Sequence, residues 1–374
     1  MKNSMLVSAV LVTSSAISPA FAQSDSQVQI YGAVGASLSS KTQQSADGKP
    51  LQEVSNNVLI PSFMGFRGQE DLGGGLQAVF RLEKSVALDT GVVGRPATGT
   101  FWDRQSFVGL QGSWGSVTFG RQFHAMIDRV VRTTDMNNAG MLTVHHTPMG
   151  LYGVNRFAGF DNRVNNSIKY RLDTPTGLQL GASYAMGESA SGGSSLGSSY
   201  SADVGYLDKT YNVGAGVVSY NSGTLVPGTA SPAKHQMVVL GGSMALGSLR
   251  PYLSYYKATT DSAVNAALPE QVNSIVNLGL RWTPRPDVDL RAAYYTDKGR
   301  SLNNVNARDG RKDSLVLVGQ LALSKRTLLN AVWANNRLTN GYRLEPVHNS
   351  QLFGTATPAS SSVNHLSVGM VHLF

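Results

Sequence analysis

The chain contains no cysteine, so no disulfide framework can hold it, and its stability has to come from packing or from a closed hydrogen-bonded architecture. Beyond its first segment it also lacks any apolar run long enough for a spanning helix, which needs about 20 residues. The glycine run 73–75 has no following Lys-Ser or Lys-Thr, which excludes a phosphate loop. Basic residues are scattered rather than gathered with aromatics into a patch, which argues against nucleic acid as a partner. His145 and His146 have no Asp, Glu or His at a metal-ligand spacing nearby, so they read as solvated loop residues, and no cofactor motif is present. What the chain does have is 40 glycines and 14 tyrosines in 374 residues, with a net charge of +8.

The N-terminus reads as a secretory leader over residues 1–22: Lys2, an apolar stretch from Met5 to Ile17, and the small-residue ending Ala20-Phe21-Ala22. That stretch is too short, and too broken by Ser and Pro19, to serve as a membrane anchor. The expected mature domain is therefore 23–374. Losing Lys2 with the leader leaves a net charge of +7.

Near-neutral hydropathy combined with export fits a spanning barrel, in which lipid-facing and lumen-facing residues alternate and their averages cancel. The alternation is visible directly. Leu76, Ala78, Phe80 and Leu82 share one parity, and Gln77, Arg81 and Glu83 the other. Leu178, Leu180, Ala182 and Tyr184 repeat it, as do Val288, Leu290, Ala292 and Tyr294 against Asp289, Arg291, Tyr295 and Asp297. Such segments are half-buried strands, and counting them gives roughly sixteen, an antiparallel transmembrane β-barrel. Short turns fall at 70–75, 111–115, 173–177, 245–248, 284–287 and 324–326. Long connections fall at 39–57, 86–100, 123–162, 187–199, 221–234, 258–271, 298–312 and 337–362. Short turns belong to the periplasmic side and long loops to the outside. Tyr31, Trp114, Tyr170, Tyr206, Tyr211, Trp282 and Trp333 near strand ends suggest interface girdles. The last segment, 364–374, places Leu366, Val368, Met370, His372 and Phe374 on one face.

The stretches GFRGQEDLGGGLQAVFRLE (65–83), FWDRQSFVGLQGSWGSVTFGRQF (101–123) and NNSIKY (165–170), with the terminal Phe374 as a membrane-assembly residue, resemble the general porin family of Gram-negative bacteria in its beta-proteobacterial branch. The resemblance covers essentially the whole mature chain. It implies an outer-membrane barrel of sixteen strands, a homotrimer, and a third loop folded into the lumen to form a constriction. Asp128 and Asp135 match the acidic side of that constriction, although turn or capping roles would also suit them. Arg67, Arg81, Arg104 and Arg163 match the basic side, with Glu83 as an acidic neighbour; each arginine could instead be a charge solvated in a wide lumen. By parity, Arg67 alternates against Met64, Phe66 and Gly68, Arg81 against its apolar neighbours, and Arg104 against Gln105 and Phe107.

The connection 123–162 is rich in Met, Val, Phe and His for a solvated loop, which suggests packing against something. It departs from the family in reading Asn137-Asn138-Ala139-Gly140 where an acidic stretch is usual, and it holds Arg129, Arg132 and Arg156 against Asp128, Asp135 and Asp161. The expected result is a net positive aperture that passes small hydrophilic solutes and prefers anions. Arg121 has the outward parity of Val117 and Phe119, which suggests cover by a neighbouring subunit; a periplasmic-rim position or a local bulge would also account for it. A solute-specific channel, or an adhesin or phage receptor built on the long loops, is the competing reading. An enzyme is not expected.

Overall fold

A computed structural model describes residues 27–93, 100–127, 163–188, 195–345, 349 and 352–374. The proposed leader lies outside these residues. The alternating segments form seventeen strands: β1 (Gln27–Lys41), β2 (Leu51–Asn56), β3 (Phe63–Gly73), β4 (Leu76–Ser85), β5 (Gln105–Gly112), β6 (Gly115–Phe123), β7 (Arg163–Asp173), β8 (Leu178–Ala185) and β9 (Ser199–Leu207). They continue as β10 (Tyr211–Leu225), β11 (Pro232–Met244), β12 (Leu249–Thr260), β13 (Gln271–Arg285), β14 (Val288–Arg300), β15 (Gly310–Ala322), β16 (Thr327–Asn340) and β17 (Ser362–Leu373). Each pairs antiparallel with its sequence neighbour, and β17 pairs back onto β1. The barrel has sixteen wall positions, because β2 and β3 both pair with the same edge of β1.

Closure satisfies every edge, which is what a sheet needs where lipid offers no hydrogen bonds. The seam is completed by a reciprocal pair: Gly32 N–H donates to the Phe374 carbonyl and Phe374 N–H to the Gly32 carbonyl, both at 3.1 Å. Gly32 has to be glycine here, since a Cβ would lie 2.6 Å from the Phe374 ring and 2.4 Å from the Phe63 carbonyl. The tight turn between β3 and β4 likewise needs its glycines: Gly73, Gly74 and Gly75 have φ of +87°, +63° and +80°.

The loops are shorter than the sequence pattern suggested. β1 runs on to Lys41 and β2 occupies 51–56, so about half of the expected 39–57 loop is ladder; β10 and β11 similarly shorten the 221–234 connection. A seventh short turn, at 208–210, escaped the pattern. There the Asp208 carboxylate accepts the N–H groups of Thr210 (2.7 Å) and Tyr211 (2.6 Å), so an aspartate rather than a glycine makes the bend. Parity is as expected at the examples above, with Leu178, Tyr184 and Tyr294 exposed outward and Arg291, Tyr295 and Asp297 buried inside. Tyr31 is a correction: its hydroxyl donates to Glu83 on the lumen side, so it is no girdle residue.

Candidate functional site in the lumen

Inward-facing side chains divide the lumen into two unlike halves. On β10–β17 the lumen wall is buried and mixed: Val218, Val239, Val316, Val332 and Ala334 are at 0% exposure, and between them polar groups such as Asn273, Asn277, Asp297, Lys312 and Ser314 are buried too. Among these polar groups the apolar side chains form one buried cluster. Part of the cover comes from the outer connections. Leu302, between β14 and β15, and Tyr342 and Phe353, between β16 and β17, are fully buried in the same apolar cluster. Tyr342 is fixed by its hydroxyl, which donates to Asp297 on β14 and accepts from Asn273 Nδ2 on β13 at 2.7 Å. Lys312 on β15 stands opposite Asp297 and is also fully buried.

Two further segments turn inward. Between β2 and β3, residues 57–62 leave the wall, with Asn57 donating to Ser37 Oγ on β1 (3.1 Å) and, over Gly369 of β17, to Asn330 Oδ1 on β16 (3.2 Å). Immediately after β6, residues 124–127 are all buried. The N–H groups of Ala125 and Met126 donate to Ser183 Oγ on β8 (3.1 Å) and Ser201 Oγ on β9 (2.8 Å), both lumen-facing hydroxyls. The root of the third loop therefore lies inside the barrel.

The other half of the lumen holds a cavity of about 650 Å³ along β1 and β3–β7. Its lining includes six glutamines and four cations, Arg67, Arg81, Lys169 and Arg171, with no carboxylate among the described lining residues. Arg67 and Arg81 are direct cross-strand partners. Like charges so placed repel, and aromatic rings hold them: the Arg67 guanidinium lies 4.7 Å from the Tyr31 ring centre, and that of Arg81 lies 5.8 Å from Phe107. Arg67 Nε donates to Gln29 Oε1 at 2.9 Å. Arg171 is neutralised by Asp203 on β9, at 3.1 Å.

Glu83 is the hub above this cavity. It is 4% exposed and accepts from Tyr31 and from Gln105 Nε2 (2.9 Å), with Arg81 at 3.8 Å and Arg104 at 3.6 Å. One carboxylate thus faces two guanidinium groups. Arg104 reaches it, but not by the expected alternation: Gln105 and Phe107 line the cavity, and Arg104 sits in the bend before β5, from which its side chain turns in over the Phe63 ring at 4.5 Å. Arg163, 5% exposed, stacks over Phe123 at 4.1 Å. Asp128, Asp135, His145 and His146 lie outside the described residues. Sequence reasoning missed Lys169, Arg171 and the glutamines, although their parity on β7, β5 and β1 marked them as inward.

Arg121 faces outward opposite Ser106, toward the extracellular end of β6 rather than the periplasmic rim. Its Nε and Nη2 donate to the Asp103 carbonyl at 3.0 and 2.7 Å, and Nη1 donates to Asn165 Oδ1 at 2.7 Å. A register shift does occur beside it, between Gly120 and Gln122.

A profile described as Gram-negative porin matches residues 7–341. Among relatives, the major outer membrane protein P.IB of Neisseria meningitidis is 29% identical over 44% of this chain and 45% of its own length. Outer membrane porin protein 32 of Delftia acidovorans is 28% identical over 60% of this chain and 58% of its own. The chain thus spans about half the length of the curated relatives it matches. An anion-selective porin from Comamonas acidovorans has the same fold, with a TM-score of 0.74 at 20% identity, covering 94% of this chain and 100% of that one. The closed antiparallel barrel and the match over 7–341 together place this chain in the Gram-negative porin family.

Proposed function

We propose that the chain forms a water-filled outer-membrane channel for passive diffusion of small hydrophilic solutes and ions, with a preference for anions. The observation that carries the preference is the cavity lined by Arg67, Arg81 and Lys169 with no carboxylate among its described lining residues, the fourth cation, Arg171, being paired with Asp203, beside a Glu83 shared by two arginines. Low-dielectric walls focus such a positive field along the solute path. The anion-selective porin of the same fold supports the same direction. The glutamine amides supply neutral donors and acceptors to hydrated solutes without trapping them, which suits diffusion better than tight binding.

The third loop is part of this reading. Its root at 124–127 is bonded inside the lumen, and the apolar cluster on the inner face of β10–β17 suits packing by the apolar residues of the 128–162 sequence. Asp128 and Asp135 are proposed to face Arg67, Arg81, Arg104 and Arg163 at the narrowest point. A homotrimer is proposed on family grounds, with Arg121 as a candidate interface residue, although its bonds within its own chain remove the need for a partner to neutralise it. A passive channel is favoured over a catalyst. The Ser201–His124 contact of 3.3 Å is buried, and its hydroxyl also accepts the Met126 N–H, so it ties down a loop.

The test is reconstitution into a planar bilayer under a salt gradient. Stepwise conductance with an anion-side reversal potential is expected, moving toward neutrality in Arg67→Ala/Arg81→Ala. A cation-side reversal would sink the preference, and saturation of the current with one solute would favour a solute-specific channel.

A further inference from the structure

The outer face of the barrel carries a belt of cations that the pore does not use. On β11–β16 the outward parity brings Lys257, Lys298, Arg300, Arg311 and Arg337 to the extracellular half of the wall. In the ladder Lys257 pairs with Ser274, Ser274 with Lys298, and Lys298 with Arg311, so three of these charges lie in one row. Arg311 is bonded to Asp313 at 2.8 Å. Lys257, Lys298 and Arg300 have no carboxylate bonded to them among the described residues, while Arg337 stands directly opposite Asp313 in the ladder.

Two features locate this row. Beneath it the outward residues turn apolar: Leu240, Leu278, Leu315 and Leu317 are exposed, with Tyr255 beside Leu240 and Tyr294 between Leu278 and Leu315 in the ladder. Ser274 lies eight residues above the exposed Trp282 on β13. At about 3.3 Å per residue and a tilt near 40°, that is roughly 20 Å along the membrane normal, close to the upper edge of an apolar band about 25 Å tall. The belt is also one-sided. On the outward face of β1–β10 the described cations are bonded within the chain, Lys84 to the Phe101 carbonyl and Arg121 to Asp103 and Asn165.

We infer that the β11–β16 face is a binding surface for phosphate-bearing lipid headgroups of the outer leaflet. Directly opposed like charges such as Lys298 and Arg311 destabilise a bare wall. A layer of phosphates at headgroup depth supplies the missing counter-charge, and arginine matches phosphate with paired donors.

The experiment is native mass spectrometry of the full-length barrel released from vesicles of phosphatidylcholine mixed with phosphatidic acid. Wild type is expected to retain phosphatidic acid several-fold over phosphatidylcholine, and the excess should vanish in Lys257→Gln/Lys298→Gln/Arg300→Gln. Arg67→Gln/Arg81→Gln, inside the lumen, should retain it, and the belt variant should conduct as wild type does. Equal retention by belt variant and wild type overturns the inference. Should the variant fail to fold, wild type alone decides: retention has to fall as salt rises, and salt-independent retention overturns it equally.

Discussion

Glu83 shows how much one side chain can organise in a wet lumen. It accepts hydrogen bonds from Tyr31 and Gln105 and stands beside the guanidinium groups of Arg81 and Arg104, and it is buried. Replacing it as Glu83→Gln keeps the shape but leaves two guanidinium groups without their carboxylate. The expected outcome is a loss of about 1.5–3 kcal/mol in unfolding free energy, read in denaturant melts, together with a reversal potential shifted further to the anion side. Stability unchanged within error would mean that water replaces the carboxylate at no cost. At this scale the sequence was readable wherever alternation runs unbroken, as at Arg67 and Arg81. It misled at Arg104, because a residue in the bend before a strand obeys no parity, and at Tyr31, whose amphipathic ring suits a girdle and a lumen equally.

Elements depend on a few such anchors. Tyr342 holds the β16–β17 connection against the β10–β17 side of the lumen through Asp297 and Asn273. In Tyr342→Phe the ring stays and the hydroxyl goes; about 1.5–3 kcal/mol of stability should be lost and the single-channel conductance should rise as the connection loosens. A variant of unaltered conductance would mean that this half of the lumen stays closed without the bond. The 208–210 turn is set by Asp208, whose carboxyl is held below the ordinary carboxylate range chiefly by the Tyr211 N–H, with help from Thr210. A depressed carboxyl contributes stability that is present at neutral pH and fades as pH falls through its folded-state value. Asp208→Asn should therefore flatten the acid limb of the stability curve, measured by thermal melts from neutral to acid pH. Six of the seven short turns were legible from glycine, proline and serine punctuation. This one was not, because a lone aspartate between strands reads as an ordinary surface charge. The inward break at 57–62 was hidden for a related reason, with Asn57 and Pro61 signalling a loop without saying which way it turns.

For the whole molecule, the strand count and the handing of loops to one side followed from a period of two and from turn chemistry. The unlike halves of the lumen did not, because strands that are apolar inside and lipid-facing outside, such as 314–318, lose the alternation that distinguishes their faces. The seam also has a consequence in time. Gly32 and Phe374 come from opposite ends of the chain, yet their reciprocal bonds close the ring. In Gly32→Leu a side chain would collide with the Phe374 ring, and the fraction reaching the compact, fast-migrating form on unheated gels is expected to drop sharply; an undiminished yield would show that the ring can seat elsewhere. Contacts this distant in sequence form slowly, since loop-closure entropy has to be met before they reward it. Until the final strand arrives, the open sheet carries two unpaired edges exposed to other chains. Assembly is therefore a race between ring closure and edge-to-edge aggregation, decided by how soon the last residue of the chain meets one of the first.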